Sequence, residues 1–259
     1  RAGVAASCGT TATSGARKVI MMTANSAPTN DDVNAAVIAS AARLSPNRIV
    51  RRSSMAVSVG NAPAPVNTAE TEVAPDAVAD TLLTDVRSLD TTIVVEMRYA
   101  TSNNFTGAPL PGYLANRAFL RREAAAALAR AQRNLRPRGL GIKIFDAYRP
   151  VRATLAMVDW AERTGRRELV DSGYIARRSR HNLGVAVDLT MVDLVSGSEV
   201  PMGTPFDTFS AAAHTANATG APAANRQTLK SALEREGFAN YDQEWWHFSF
   251  NVPNPLRFD

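Results

Sequence analysis

A chain of 259 residues is long enough to bury one sizeable core, and 45% hydrophobic with 20% charged residues is ordinary for a soluble globular protein. The net charge of +5 is mild, and the arginines are spread along the chain rather than gathered with aromatics, so nucleic-acid binding has no support. No run of about 18 apolar residues occurs, so no membrane span is predicted, and the lone Cys8 excludes an intramolecular disulfide.

The first eighty residues are rich in Ala, Ser, Thr, Asn and Val and hold no aromatic side chain, which is poor core material. Asp31 and Asp32 are placed to cap a short helix through Val33, Val37 and Ile38 to Leu44, where Ser45-Pro46 stops it. Pro63, Pro65 and Pro75 among Ala, Val and Thr make 61–75 an extended linker. Residues 1–80 are thus expected to be a low-complexity, mobile leader, with Met55 an alternative start, and residues 81–259 the folded domain. The small residues leading to Cys8 resemble a lipoprotein cleavage site, which would require a long apolar segment ahead of Arg1.

Beyond the leader, strand and helix signals alternate. The β-branched run 91–97 predicts a strand, followed by a polar loop over 98–107. Residues 117–135, rich in Ala, Leu and Arg and ended by Pro137 and Gly139, predict a helix. A short strand over 142–145 delivers Asp146-Ala147-Tyr148-Arg149-Pro150, and Pro150 starts a helix to about Thr164 with Val151, Leu155 and Val158 on one face. A strand over 185–192, a loop over 201–207, a helix marked by Leu229, Ala232 and Leu233 and closed by Gly237, and an aromatic strand around Trp246 complete the chain. No internal repeat is evident. The mixture predicts a single α+β domain with a mainly antiparallel sheet flanked by helices.

The chemistry concentrates in two places. His181 lies in a glycine-containing loop, and seven residues later Asp188 sits inside an apolar run, where a bare carboxylate is costly unless paired or metal-bound. Near the C-terminus, Glu244-Trp245-Trp246-His247 adds a second imidazole and a spare carboxylate. Two imidazoles and one carboxylate with an open fourth position are how catalytic zinc is commonly held, and Glu244 suits a general base for the metal-bound water. In a regular strand, residues three apart face opposite ways, so Glu244 and His247 can meet one metal only if a bulge or lead-in turn interrupts the strand at Trp245. Plainer roles stand beside these. Arg149 can be a structural partner of Asp146, Tyr99 core packing, Asp207 a helix cap, Trp245 and Trp246 core aromatics, and His214 a surface residue.

Ser179-x-His181-x-x-Gly184-x-Ala186-x-Asp188 together with Glu244-x-Trp246-His247 resembles the zinc D-Ala-D-Ala metallopeptidase family. Arg98-Tyr99-Ala100-Thr101, Asn104-Phe105-Thr106-Gly107, Asp146-x-Tyr148-Arg149-Pro150 and Met202-Gly203-Thr204-x-Phe206-Asp207 resemble its D-alanyl-D-alanine dipeptidase branch. The likeness runs in order over about 85–259 and does not reach the leader. It implies that His181, Asp188 and His247 bind one zinc ion, that Glu244 takes the proton from the zinc-bound water and that Arg149 stabilises the tetrahedral oxyanion. The same likeness implies that Asp207 and the Tyr99 phenol receive the substrate ammonium, that Ser179 hydrogen-bonds substrate, and that Asp146 braces Arg149 or meets substrate. The implied substrate is a small D,D-dipeptide, met free in the cytoplasm, or outside it if a presequence precedes Arg1; oligomeric state has no signature. Glycopeptide resistance and dipeptide recycling fit the same chemistry equally. The other readings are a D,D-carboxypeptidase acting on peptidoglycan peptides and a metal-bearing binding module without catalysis, although a binder has no need of Glu244 and Arg149.

Overall fold

The computed structural model describes residues 73, 74 and 76–259; the rest of the expected leader, with the helix read over 33–44 and Met55, lies outside the described residues. Within the part described, Val73 bridges Arg257 and a short helix, α1 (Asp76–Leu82), leads into strand β1 (Leu83–Asp85). No helix among the described residues is long and apolar enough to cross a membrane.

Two long strands form the middle of the domain. Gly139, in the left-handed conformation at φ 72°, closes the preceding helical turn and lets the apolar run Ile142, Ile144 and Phe145 extend as β4 (Leu140–Asp146). β5 (Ala186–Asp193) pairs with it antiparallel and is buried at every position but the last, as befits a strand covered on both faces. β2 (Val94–Val95) lies parallel to β4 on one side, while β7 (His247–Phe250) and β6 (Phe238–Asn240) continue antiparallel beyond β5. The five-stranded order is β2-β4-β5-β7-β6, mainly antiparallel as expected, and β1 forms a separate pair with β3 (Phe119–Arg121).

Alternation along the strands sorts two chemistries onto two faces. Ile142, Ile144, Val187, Leu189 and Met191 belong to the large core, shared with Ala124, Leu128 and Ala131 of α2 (Arg122–Leu135) and Leu229 and Leu233 of α5 (Gly220–Glu234). A second cluster gathers Ala153, Met157, Val158 and Ala161 of α3 (Val151–Arg163) with Tyr99, Leu110, Ile175 and Leu169, the last on α4 (Glu168–Asp171). The register slips between Ile144 and Asp146, leaving Phe145 with no residue opposite. A regular ladder would set Asp146 on the face of Ile144, in the helix-covered core. The extra residue turns it to the face of Asp188 instead.

Three expected elements differ. The strand read over 91–97 is confined to Val94–Val95, because the Asp90 carboxylate accepts from both the amide and the hydroxyl of Thr92 and folds the chain into a turn there. The helix read from 117 begins only at Arg122, since 119–121 pair with β1. On α3, Val151 and Val158 are buried as expected but Leu155 is 56% exposed, because the buried arc is centred on Ala153, Thr154, Met157 and Ala161 and Leu155 lies past its edge.

Arg226 of α5 fixes the long loop between β5 and α5. Its buried guanidinium donates to the carbonyls of Met202 (2.7 Å), His214 (2.7 Å) and Ala212 (3.1 Å), so both stems of the 202–214 segment hang on one side chain. Arg226→Met keeps the bulk and strands three carbonyls; a loss on the order of 3 kcal/mol is expected, read as a lower urea midpoint with unchanged slope.

Candidate active site

Adjacent strands place three functional side chains in one row: Asp146 of β4 stands opposite Asp188 of β5, which stands opposite His247 of β7. Two buried carboxylates side by side repel each other and require cations. Arg149 is the first. It donates through Nε to Asp146 Oδ2 at 2.9 Å, with Nη2 2.8 Å from the same oxygen and 3.6 Å from Asp188 Oδ2, and it lies over the Tyr99 ring at 5.0 Å. The other Asp146 oxygen accepts from Tyr113 Oη at 2.5 Å. Asp146 is therefore fully enclosed behind Arg149, outside the cleft lining, which leaves it the bracing role of the two read for it.

His181 arrives on a short 3-10 turn (Arg180–Leu183) that the sequence builds locally. The Ser179 hydroxyl oxygen accepts the His181 amide, Asn182 returns a bond to the Ser179 amide, and Gly184 ends the turn at φ 63°, where a Cβ would lie 2.5 Å from Leu83. The Asn182 amide also donates to Arg149 O at 2.9 Å, so the turn is stapled to the chain between β4 and α3. His181 Nδ1 meets Ala147 O at 2.6 Å; a carbonyl can only accept, so Nδ1 carries the hydrogen and Nε2 is left with its lone pair. That nitrogen is 3.2 Å from His247 Nδ1 and 3.3 Å from Asp188 Oδ1, and His247 Nδ1 is 2.8 Å from the same oxygen.

One ligand atom from each of His181, Asp188 and His247 falls within 4.8 Å of the others, so the set can hold a metal ion. The donor chemistry fits: two imidazoles and a carboxylate, with one imidazole oriented from behind by a backbone carbonyl. Burial alone would raise the Asp188 carboxyl, but His181 and His247 hold it well below the ordinary carboxylate range, which keeps it an anionic ligand.

The lead-in turn expected before β7 is present. His247 N donates to Glu244 O at 3.2 Å and Trp245-Trp246 form the turn, so Glu244 and His247 come to one side with Oε2 and Nδ1 3.9 Å apart. Both tryptophans are core residues, and Trp246 also lines the cleft. Burial, reinforced by Asp188, pushes the Glu244 carboxyl up to about 8 against the opposing pull of Arg149 and His181. A dication bound beside it would favour its ionised form.

The cleft has a volume of about 280 Å³ and is lined by Tyr99, Arg149, Ser179, His181, Asp188, Asp207, Glu244 and His247, among others. Asp207, at φ 60°, is no helix cap: its Oδ1 accepts from Tyr99 Oη at 3.0 Å, and its Oδ2 is sealed from solvent without a hydrogen-bond partner among the described residues. Burial, then the charge of Asp188, raises its carboxyl well above the ordinary range. Tyr99 is thus both core and site. His214 is half-buried rather than a surface residue, with Nε2 3.1 Å from Tyr174 Oη on the cleft wall. Tyr174 on the cleft wall, Tyr113 behind Asp146 and Arg226 under the 202–214 segment had no signal in the sequence, since each acts on a partner distant along the chain, His214, Asp146 and the loop carbonyls.

A His/Asp/His donor set, with His181 and Asp188 buried and His247 half-buried, and a glutamate and a guanidinium beside it, is the equipment of a metallopeptidase. A family model described as D-ala-D-ala dipeptidase matches residues 79–254, and the chain belongs to this family of metallopeptidases. Similar proteins include the D-alanyl-D-alanine dipeptidases of Streptomyces coelicolor (38% identical over 176 residues, 62% of this chain and 87% of the relative) and Enterococcus faecium (37% over 169 residues, 59% and 83%). That of Escherichia coli is 32% identical over 170 residues, 65% of this chain and 84% of the relative.

The raised Glu244 carboxyl makes a signed prediction for metal-free protein. A folded-state value of about 8 against an ordinary 4.5 means that its contribution to stability is full below 4.5 and is lost as pH rises through 8. With chelator present, wild type should lose stability relative to Glu244→Gln between those limits, by up to about 1.4 kcal/mol per pH unit spanned. Thermal melts of both proteins across this range measure it, and parallel curves would contradict it.

Proposed function

We propose that this protein is a zinc-dependent dipeptidase that hydrolyses D-alanyl-D-alanine to two D-alanines, with one zinc ion held by His181, Asp188 and His247. The observation that carries the choice of a dipeptide is Asp207. A free dipeptide brings an ammonium into the cleft, and an enclosed carboxylate with one oxygen bonded to Tyr99 and the other unpartnered is a receptor for it. A carboxypeptidase substrate has an amide at that point and leaves the carboxylate unpaired. The names of the relatives support the same substrate.

The chemistry zinc supplies in such a set is Lewis acidity, which polarises a carbonyl and makes water nucleophilic near neutral pH. The chain's own groups do the rest. Glu244 accepts a proton from the attacking water as the new C–O bond forms and holds it until the C–N bond breaks and the leaving amine takes it. Arg149, fixed by Asp146, donates to the oxygen on which negative charge develops; because it is already held, little reorganisation accompanies the reaction. The Ser179 oxygen is occupied by the His181 amide, which leaves its O–H free to donate to substrate. The activity belongs to cell-wall precursor metabolism, where removal of the free dipeptide serves glycopeptide resistance or recycling.

The test is D-alanine release by zinc-loaded protein from D-Ala-D-Ala and, in parallel, from its N-acetylated analogue. The free dipeptide should be hydrolysed and the analogue left intact; the reverse would make the enzyme a carboxypeptidase and remove the role given to Asp207. Glu244→Gln should keep one zinc per chain and lose roughly 100- to 10,000-fold in kcat. Arg149→Lys, which keeps the charge but not the planar fork, should lose on the order of 100-fold in kcat.

A further inference from the structure

On the dipeptidase reading above, the substrate is a zwitterion, and its C-terminal carboxylate has no charged receptor among the groups already assigned. Three cationic side chains line the cleft. Arg149 is spoken for by Asp146 and the reacting carbonyl. Arg180 is turned to the chain end of β7, donating through Nη2 to Phe250 O at 2.8 Å and Asn251 Oδ1 at 2.9 Å. Arg178 is exposed, lines the cleft and makes no ion pair among the described residues, whereas its neighbour Arg177 pairs with Glu162 at 3.2 Å.

The backbone that carries Arg178 is anchored on both sides. Upstream, Ile175 is buried with its amide on Leu169 O at 2.8 Å, and Tyr174 is tied to His214. Downstream, Ser179 begins the capped turn that fixes His181. The guanidinium therefore stands on a fixed stem at the rim of the cleft. The interior is lined by the carboxyl groups of Asp188, Glu244 and Asp207, and its one guanidinium, Arg149, is held by Asp146, so the uncommitted cation that an entering carboxylate meets stands at the mouth.

We propose that Arg178 binds the C-terminal carboxylate of the substrate and makes a free carboxylate a requirement for hydrolysis. Planar guanidinium and carboxylate match in geometry, and an arginine at an open rim pairs with an incoming anion without first giving up a protein partner. Together, Arg178 at the rim and Asp207 in the interior give the cleft the polarity of a zwitterion, which sets the direction in which a dipeptide enters.

The experiment is steady-state hydrolysis by the zinc-loaded full chain of D-Ala-D-Ala and of its C-terminal amide, both read by D-alanine release, for wild type, Arg178→Gln and Arg178→Lys. Wild type should prefer the acid. Arg178→Gln should raise KM for the acid by roughly tenfold with kcat little changed and leave the amide untouched, so that the preference collapses, while Arg178→Lys keeps part of it. Because Arg178 is exposed, added salt should raise KM for the acid in wild type and not in Arg178→Gln. Equal losses on acid and amide, or no change in KM, would overturn the proposal. If wild type cleaves N-acetylated D-Ala-D-Ala instead of the free dipeptide, the dipeptidase reading falls alone, and the acid-to-amide ratio on the acetylated pair then decides Arg178 by the same criterion. Wild-type silence on every substrate overturns both.

Discussion

Two carboxylates, Asp146 and Asp188, face each other across neighbouring strands in the interior of the domain. Left alone they would destabilise the sheet, since like charges opposite one another in a buried ladder are costly. Everything at the site answers that repulsion. Arg149 bridges the pair, Tyr113 donates to the far side of Asp146, and His181 and His247 close on Asp188. The concentration of negative charge that a bound cation requires is the same one that holds Arg149 rigid, so cation binding and guanidinium placement are two outcomes of one electrostatic arrangement.

The division of labour among the remaining acids follows from their surroundings. Asp188 is surrounded by imidazoles and stays ionised, whereas Glu244 and Asp207 are buried with less positive charge and hold protons more strongly. Carboxyl groups of similar intrinsic chemistry are thereby separated by position alone into one held as an anion and two that favour the proton.

What the sequence reveals here depends on range. His181, Asp188, Glu244 and His247 could be read because each sits in a short segment whose local pattern limits its geometry, and even the turn before β7 followed from the three-residue offset between Glu244 and His247. The α+β class was equally readable from the alternation of strand and helix signals. The slip at Phe145 was not, because a bulge has no composition of its own and appears only when β4 is laid against β5. Tyr113 and Arg226 were hidden for the same reason: their partners lie 33 and 24 residues away or are backbone carbonyls that any sequence possesses. The strand read over 91–97 shows the reverse error, a strong β pattern overruled by one carboxylate, Asp90, bonding Thr92.

The unpaired Phe145 also constrains how this domain can change over time. Its ring stacks on Phe206 at 4.8 Å, immediately before Asp207, so the residue that offsets the ladder also supports the loop carrying Asp207. The length of β4 up to that point works as a ruler: substitutions along it alter packing, whereas the loss or gain of a single residue would exchange the faces of Phe145 and Asp146 and dismantle both halves of the site together. Sequence drift can accumulate in this strand; insertions and deletions cannot, and variants selected purely for a more regular and more stable sheet would be drawn toward removing the irregularity on which the site depends.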